Sequence, residues 1–252
     1  MRVVCRMETG AGKLNIEDRA LIGDTILAGG EYSIEVPDGK PFVLAVADGV
    51  GGHKAGDVAA CTAVEGITAA NLRGVDTEAA LLARISEANA RIIERSIQDP
   101  SLEKMATTLS GLFFTGTRWL LFHIGNTRVY LLERPYLNQL TTDHTWSAEM
   151  RLAGFSADEI KDSGRSSSIT ACIGNGNEKY AEKLRIIDVT SAVLNANGIL
   201  LTSDGIHDFA SQGALESEIG KDASAEELLQ RCMKLAREAG SEDDLSVVYV
   251  SF

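Results

Sequence analysis

The chain has 252 residues, and its 24 Lys and Arg residues against 36 Asp and Glu residues give a formal net charge of −12 at pH 7. This acidic balance argues against binding to nucleic acid or to an anionic membrane, because both need clustered Lys and Arg. The hydrophobic fraction of 44% supports a packed core, and no apolar run is long enough to span a membrane.

Short runs of β-branched and aromatic residues predict strands along most of the chain. In chain order, the candidate strands are Arg2–Cys5, Arg19–Ile22, Phe42–Ala47, Thr107–Thr115, Trp119–Ile124, Arg128–Glu133, Lys183–Val189, Ile199–Thr202 and Leu245–Val250. Several of them follow one another in the middle of the sequence without a helical segment between them.

Apolar residues at helical spacing predict helices over Gly56–Leu72, Thr77–Ile97 and Ala225–Ala239. Ser224, three residues before Glu227, has the spacing of a capping box at the start of the last helix. The pair Ser156 and Glu159 has the same spacing and predicts a further short helix.

Regular alternation of strands and helices is absent, which predicts an α+β fold with a largely antiparallel sheet. No linker-like tract and no repeat interrupts the sequence, so we expect one domain over residues 1–252. The four cysteines are far apart and mostly have apolar neighbours, and no secretory leader follows Met1. These features are typical of reduced, buried thiols in a cytoplasmic protein.

Acidic residues recur at the ends of the predicted strands. Two buried-looking strands each deliver an Asp followed by Gly, at Asp48-Gly49 and Asp204-Gly205, and two others are preceded by paired acids, at Glu17-Asp18 and Asp243-Asp244. In an antiparallel sheet the end of one strand lies beside the start of its neighbour. We therefore expect these carboxylates to converge on one edge of the sheets, although a single Asp-Gly pair is most often an ordinary turn.

Such a cluster is costly without cations, because like charges at close range raise one another's pKa. Mg²⁺ and Mn²⁺ prefer carboxylate oxygens and retain several waters. An Asp that bridges two such ions would generate hydroxide at neutral pH, which suggests hydrolysis of a phosphate ester. The glycine-rich segment Gly49–Gly56 fits neither the Gly-x-Gly-x-x-Gly spacing of dinucleotide-binding loops nor the P-loop pattern. Nucleotide binding is therefore not expected.

Seven short motifs occur in a specific order and spacing. They are Glu17-Asp18, Asp48-Gly49-Val50-Gly51-Gly52-His53, Ala106-Thr107-Thr108, Gly125-Asn126-Thr127-Arg128, Thr142-Asp143-His144, Ser203-Asp204-Gly205 and Asp243-Asp244. This set, which runs from about Gly10 to Phe252, resembles the metal-dependent (PPM, type 2C) protein serine/threonine phosphatases of bacterial type. The resemblance implies a four-layer α-β-β-α sandwich, with two stacked, mainly antiparallel sheets flanked by helices.

The resemblance also implies a centre of two Mn²⁺ or Mg²⁺ ions at one edge of the sheets. Its metal residues would be Glu17, Asp18, Asp48, Gly49, Asp204 and Asp243. Asp48 would bridge both ions, and Asp204 and Asp243 would complete the shell of the first, so these three carry the implied catalysis. The Gly49 carbonyl and either Glu17 or Asp18 would hold the second ion. Asp244 stands where the family usually has Asn.

Three positions depart from the family pattern or leave a role open. Lys13 stands where the family has an Arg that grips the substrate phosphate, and it lacks the bidentate fork of Arg. Asn126 replaces an Asp that helps to hold a third, looser metal, so that weak third site should be weaker still. His53 is either an acid for the leaving group or a residue that shapes its loop. The stretch Leu152–Ser168 corresponds to the family's variable flap.

The function implied by the resemblance is hydrolysis of phosphoserine and phosphothreonine in proteins by a metal-activated hydroxide, opposing a bacterial Ser/Thr kinase. We expect a cytoplasmic monomer with phosphoprotein substrates and no nucleic-acid or membrane partner. Two alternatives remain open from the sequence. One is a non-catalytic relative that binds phosphoproteins, and the other is a two-metal phosphoesterase that acts on small molecules.

Overall fold

The computed structural model describes residues 1–50, 55–164, 167–174 and 180–252. Its strands are β1 (Arg2–Glu8), β2 (Arg19–Ile22), β3 (Thr25–Leu27), β4 (Gly30–Glu35), β5 (Phe42–Ala47), β6 (Ala106–Thr107), β7 (Leu109–Phe114), β8 (Trp119–Ile124), β9 (Arg128–Glu133), β10 (Tyr136–Gln139), β11 (Ile173–Gly174), β12 (Arg185–Asp188), β13 (Gly198–Thr202) and β14 (Leu245–Ser251). Its α-helices are α1 (Gly56–Gly66), α2 (Glu78–Gln98), α3 (Trp146–Leu152), α4 (Ala157–Asp162), α5 (Tyr180–Lys183), α6 (Thr190–Val193), α7 (Asp204–His207), α8 (Gln212–Ile219) and α9 (Ala225–Glu238).

One sheet, sheet I, has the strand order β10-β9-β13-β14-β1-β4, and its neighbouring strands are antiparallel. β14 lies inside this sheet between β13 and β1, where Val248 pairs with Leu201 on one side and with Cys5 on the other. Every residue of β14 before Ser251 is buried, which explains why its sequence is almost continuously apolar.

The other large sheet, sheet II, has the order β12-β8-β7-β5-β2-β3 and is also antiparallel. β5 and β8 are buried along their whole length, in agreement with their apolar sequences. The short strands β6 and β11 form a separate two-stranded ladder.

Three apolar clusters separate four layers. Residues such as Val46 and Leu201 fill the space between the two sheets. α1 and α2 cover the outer face of sheet II through a cluster that includes Ile85 and Phe122. α7, α8 and α9 cover the outer face of sheet I, where Leu229 belongs to the third cluster. The predicted α-β-β-α sandwich is therefore confirmed.

Most predicted strands are confirmed, and four of them have the predicted boundaries. The predicted strand Thr107–Thr115 is divided into β6 and β7 because the backbone of Thr108 turns away to hydrogen-bond the carbonyl of Asp48 at 2.9 Å. The predicted strand Lys183–Val189 is shorter than expected, since Lys183 is the last residue of α5.

The predicted helix Gly56–Leu72 is too long. α1 ends at Gly66, where a Cβ atom would lie 2.6 Å from the Cβ of Ala88 in α2. The two helices therefore approach closely at this glycine, and the chain turns after it. Within the described ranges, no helix combines the length and the apolar character needed to cross a bilayer.

The cap of α9 provides a test of the local sequence signals. Ser224 Oγ accepts from the backbone N–H of Glu227 at 3.2 Å, and Glu227 Oε2 accepts from the N–H of Ser224 at 3.1 Å. We expect Ser224→Ala to lower the free energy of unfolding by about 1 kcal/mol, as measured by urea denaturation. Ser217→Ala, at an exposed position of α8, is the control. An equal loss in both variants would contradict the capping role.

Candidate functional site

The ends of β5 and β13 and the starts of β2 and β14 meet at one edge of the sandwich. There the predicted acids Glu17, Asp48, Asp204 and Asp243 line one cavity of about 650 Å³, together with Gly49 and Lys13. Asp18 belongs to the same cluster but lies beneath the surface and is 1% exposed. The predicted convergence of acids from distant parts of the chain is therefore seen.

Asp48 is held through its backbone at the end of β5. Its N–H donates to Thr108 Oγ1 at 3.0 Å, and its carbonyl accepts from Thr107 Oγ1 at 2.8 Å. Gly49 follows at a point of close packing, where a Cβ would lie 2.5 Å from the carbonyl carbon of Gly56. The two threonines thus fix the position of Asp48, a role that the sequence did not indicate.

Asp204 is the first residue of α7, so it opens a short helix at the end of β13. Gly205 after it lies against the chain before β14, since a Cβ would come within 2.0 Å of the Asp244 carbonyl oxygen. Asn126 donates its Nδ2 to Asp204 Oδ2 at 2.9 Å, while its buried Oδ1 has no protein partner among the described residues. Asn126 therefore stabilises the Asp204 carboxylate as a hydrogen-bond donor.

Burial raises the pKa of Asp18 to about 7, and the charges of Asp244 and Asp204 act in the same direction. A hydrogen bond from Ser246 Oγ to Asp18 Oδ2, 2.6 Å long, opposes this rise. A hydrogen bond from Ser203 acts in the same way, so two hydroxyls only partly compensate the burial of the Asp18 carboxyl.

Burial also raises the pKa of Asp48, and the charges of Asp204, Asp18 and Asp243 raise it further. The pKa of Asp204 is raised by burial and by Asp243, against the stabilising hydrogen bonds from Asn126 and Asp48. Burial is likewise the largest cause of the raised pKa of Glu17. Several carboxyls at this edge therefore hold protons more tightly than ordinary ones do, as expected for crowded acids.

Asp244 has a structural role that the sequence did not reveal. Its carboxylate is almost completely buried and accepts the backbone N–H groups of Gly10 and Glu17, both at 2.7 Å. It therefore fixes the loop that leads from β1 to the Glu17-Asp18 pair. The family resemblance assigned the metal role to Asp243 and gave no role to Asp244, so the sequence did not indicate these backbone contacts.

Lys13 lies among the carboxylates. Its Nζ is 2.5 Å from Asp243 Oδ1, 3.3 Å from Asp244 Oδ2 and 3.9 Å from Glu17 Oε2. Burial lowers the pKa of Lys13, but the hydrogen bonds and charges of Asp243 and Asp244 outweigh this effect and raise it. Lys13 is therefore a fixed positive charge at the rim of the cavity.

Arg237, in the last turn of α9, is a second cation that sequence reasoning missed. It donates to the backbone carbonyls of Thr9, Ser241 and Asp243 at 2.8 to 2.9 Å. These bonds tie the loop after β1 to the loop before β14. In the sequence it was only a basic residue near the end of a helix. Such residues are usually explained by their favourable interaction with the helix dipole.

The remaining candidates have separate locations. His53 lies outside the described residues, so its role stays a prediction. Arg128 forms a bidentate ion pair with Asp143, at 2.6 to 3.1 Å, as expected for a structural pair. His123 is buried, with Ser110 and the carbonyl of Thr142 as hydrogen-bond partners.

The donor types at this edge suit hard divalent cations, which prefer carboxylate and carbonyl oxygens. The raised pKa values of Asp18, Asp48 and Asp204 point the same way, because a bound cation would favour the charged carboxylates. Within the described part of the chain, however, no three His, Cys, Asp or Glu side chains are grouped as ligands of a single ion. The residues fit the expected type of metal, and the individual ligands remain predictions.

The sequence pattern of Protein phosphatase 2C matches residues 30–247. Serine/threonine phosphatase stp of Listeria monocytogenes serotype 4b is 29% identical over 223 residues, which cover 86% of this chain and 86% of that protein. Serine/threonine protein phosphatase PstP of Mycobacterium tuberculosis is 29% identical over 255 residues, which cover 98% of this chain and 44% of that protein.

Solved structures show the same likeness. The serine/threonine phosphatase PstP/Ppp of Mycobacterium tuberculosis has a TM-score of 0.77 at 28% identity, over 100% of this chain and 99% of that one. A structure described as a bacterial serine phosphatase has a TM-score of 0.80 at 20% identity, over 99% of this chain and 96% of that one. The latter likeness supports the fold alone.

The pKa of Asp18 predicts how the stability of the metal-free protein depends on pH. Folded Asp18 keeps its proton up to about pH 7, whereas an unfolded Asp loses it near pH 4. The folded state therefore binds more protons between these values, and the free energy of unfolding falls as pH rises through them. We expect the Tm measured in EDTA to fall from about pH 5 to about pH 8, and less steeply in Asp18→Asn.

The matched control for this prediction is Asp222→Asn, at an exposed position far along the chain. It should keep the pH dependence of the unsubstituted protein. If Asp18→Asn has the same slope as this control, Asp18 does not titrate as described.

Proposed function

The chain belongs to the protein phosphatase 2C family, and from this premise we propose that it is a metal-dependent protein phosphatase for phosphoserine and phosphothreonine. The observation that carries the proposal is the convergence of Glu17, Asp48, Asp204 and Asp243 on one cavity of about 650 Å³. The proteins named as Ser/Thr phosphatases among its relatives support the same substrate class.

The metal dependence follows from charge. A phosphate ester that enters a cavity lined by carboxylates is repelled unless cations lie between them. We assign two Mn²⁺ or Mg²⁺ ions to this edge, held by Asp48, Asp204 and Asp243, the Gly49 carbonyl, and Glu17 or Asp18. Bound there, such ions supply an activated water and neutralise the charge that develops on the phosphate.

The protein's own groups keep these acids in place. Thr107 and Thr108 hold the backbone of Asp48, and Asn126 donates to the carboxylate of Asp204. Because the Asn126 amide faces Asp204 with its Nδ2, its contribution to a third metal is weak in this proposal. Arg237 and Asp244 join the loops that carry Lys13 and Asp243.

Lys13 is the proposed contact for the substrate phosphate. Its ammonium lines the cavity and is already oriented by Asp243 and Asp244. A Lys attracts the phosphate as a point charge, whereas an Arg would bind two of its oxygens in parallel. His53 remains a candidate acid for the leaving alkoxide.

We further infer that the phosphatase acts as a monomer, as one domain over residues 1–252, and in the cytoplasm opposite a Ser/Thr kinase. The location rests on the dispersed cysteines, three of which are buried, and the kinase on the relatives named as Ser/Thr phosphatases. Two alternatives are a non-catalytic phosphoprotein binder and a small-molecule phosphoesterase. The following assay distinguishes the proposed function from both.

The proposal predicts phosphatase activity that requires both divalent metal and Asp204. We expect hydrolysis of p-nitrophenyl phosphate and of a phosphothreonine peptide with Mn²⁺, and its loss in EDTA. Asp204→Asn should lower kcat by about 100-fold or more, because it removes a charged ligand. Asp222→Asn, at an exposed position, should retain full activity.

Activity that survives EDTA and Asp204→Asn would refute the metal mechanism. Metal binding without turnover of any phosphosubstrate would identify a non-catalytic binder. A clear preference for nucleotides or sugar phosphates over the phosphopeptide would identify a small-molecule phosphoesterase.

A second prediction concerns Lys13. We expect Lys13→Arg to lower the KM for phosphate esters by a few-fold and Lys13→Ala to raise it by about tenfold, because each changes the attraction for phosphate. Both variants need saturation with Mn²⁺, so that effects on metal binding do not enter KM. An unchanged KM in both variants would remove Lys13 from the substrate site.

A further inference from the structure

A second cavity, of about 320 Å³, lies at the side of the sandwich where β8 and β12 form the edge of sheet II. It shares no lining residue with the carboxylate cavity. We call it the side cavity. Its volume is at the lower end of the range for sites that bind small molecules.

The floor of the side cavity is apolar. It includes Leu121 of β8, Leu140 and, at its mouth, Ile187 of β12 and Leu152 of α3. Ile187 is 46% exposed and Leu152 is 81% exposed, so each leaves apolar surface in contact with water. A ligand with an apolar body would cover this surface and gain free energy from doing so.

The walls of the side cavity carry two cations and two acids. Lys183 and Arg185 line it, together with the acids Glu149 and Asp143. Asp143 is already neutralised by Arg128, whose guanidinium binds it at 2.6 to 3.1 Å. Glu149 offsets one of the two cations, since its carboxylate is 3.2 Å from Lys183 Nζ. Arg185 is then the cation that no carboxylate of the described residues pairs with, although its Nη1 donates to the carbonyls of Glu182 and Leu184.

His144 adds a hydrogen-bond donor to this wall. It is 8% exposed, and its Nδ1 accepts the backbone N–H of Gly125 at 3.0 Å. An imidazole that accepts at Nδ1 carries its proton at Nε2 when it is neutral. Burial lowers the pKa of His144 to about 4, and the nearby charges of His123, Lys183 and Arg185 act in the same direction, so the ring is neutral.

The neighbouring His123 does not accept a hydrogen bond from Nε2 of His144. The two rings stack at 4.8 Å between centroids, and both nitrogens of His123 are occupied by Ser110 and by the Thr142 carbonyl. Among the hydrogen bonds of the described residues, Nε2 of His144 has no protein acceptor. The side cavity thus combines an apolar floor, the Arg185 cation and an N–H donor in one small volume.

We propose that the side cavity binds a small organic anion, whose carboxylate, sulfonate or phosphate head meets Arg185 and His144 and whose apolar body covers Leu121, Leu140 and Ile187. A negatively charged head accepts charge-assisted hydrogen bonds from the guanidinium and a further bond from the imidazole. Inorganic anions have no apolar surface to bury against this floor, so we expect them to bind more weakly.

The side cavity is connected to the proposed catalytic edge through one short loop. His144 holds the N–H of Gly125, and the next residue, Asn126, donates to Asp204 Oδ2 at 2.9 Å. A ligand head that binds Nε2 of His144 changes the electron density at Nδ1 and therefore the bond to Gly125. The amide resonance of Gly125 is thus a reporter of occupancy that does not depend on phosphatase activity.

The test uses 8-anilinonaphthalene-1-sulfonate, a fluorescent anion with an apolar body, as the probe. Its fluorescence titration is compared between the unsubstituted chain, the double variant Lys183→Ala with Arg185→Ala, and the control Lys104→Ala with Arg151→Ala. The control removes two exposed cations outside the side cavity. We expect the double variant to raise Kd by about tenfold and the control to leave it unchanged.

Two further measurements locate the probe. The ¹H–¹⁵N resonance of Gly125 should shift with the probe in the unsubstituted chain and not in the double variant. Octanoate, which has a carboxylate and an apolar body, should displace the probe, while inorganic phosphate at the same concentration should not.

Three outcomes would overturn the proposal. One is an equal affinity for the probe in all three proteins, with matching circular dichroism spectra. Another is displacement by inorganic phosphate, which would mean that the probe occupies a simple anion site. The third is loss of binding in Leu194→Ser with Phe252→Ser, which would place the probe in the apolar groove of about 350 Å³ beside Trp119.

Discussion

Mutual repulsion among buried carboxylates is the constraint around which this edge of the protein is built. Asp18, Asp48 and Asp204 are brought together by strands that are distant in sequence, and burial raises the pKa of each. The surrounding polar groups compensate this cost only in part, through hydrogen bonds such as those from Ser246 to Asp18 and from Asn126 to Asp204. Such an arrangement is stable only because the sheets fix the backbone, and it leaves a strong attraction for cations.

The fold could be predicted from the sequence wherever burial determined the residue pattern. β5 and β8 are buried on both faces, so their apolar runs marked their ends correctly. β4 and β10 were not predicted, because edge strands with exposed residues carry little hydrophobic signal. The predicted helix after Gly56 was too long, since only the packing of Gly66 against α2 shows where it ends.

The acids of the candidate site could also be predicted, because a charged Asp at the end of a buried strand is costly unless it is paired or binds a cation. The groups that hold them could not. Asp244, Thr108 and Arg237 act through the backbones of residues far away in the chain, and such contacts leave no pattern in a single sequence. Lys13 was found only by its position in a family motif, and the structure adds the carboxylates that orient it.

The position of β14 has a consequence for the order of assembly. This strand follows nearly the whole chain, yet it lies between β13 and β1 inside sheet I, and it directly follows Asp243 and Asp244. During synthesis on a ribosome, β1 cannot pair with β14 until nearly the whole chain has been made. Contacts of such long sequence separation form slowly. The carboxylate edge is therefore assembled late, because Asp243 is made directly before β14 and a shorter nascent chain still lacks it.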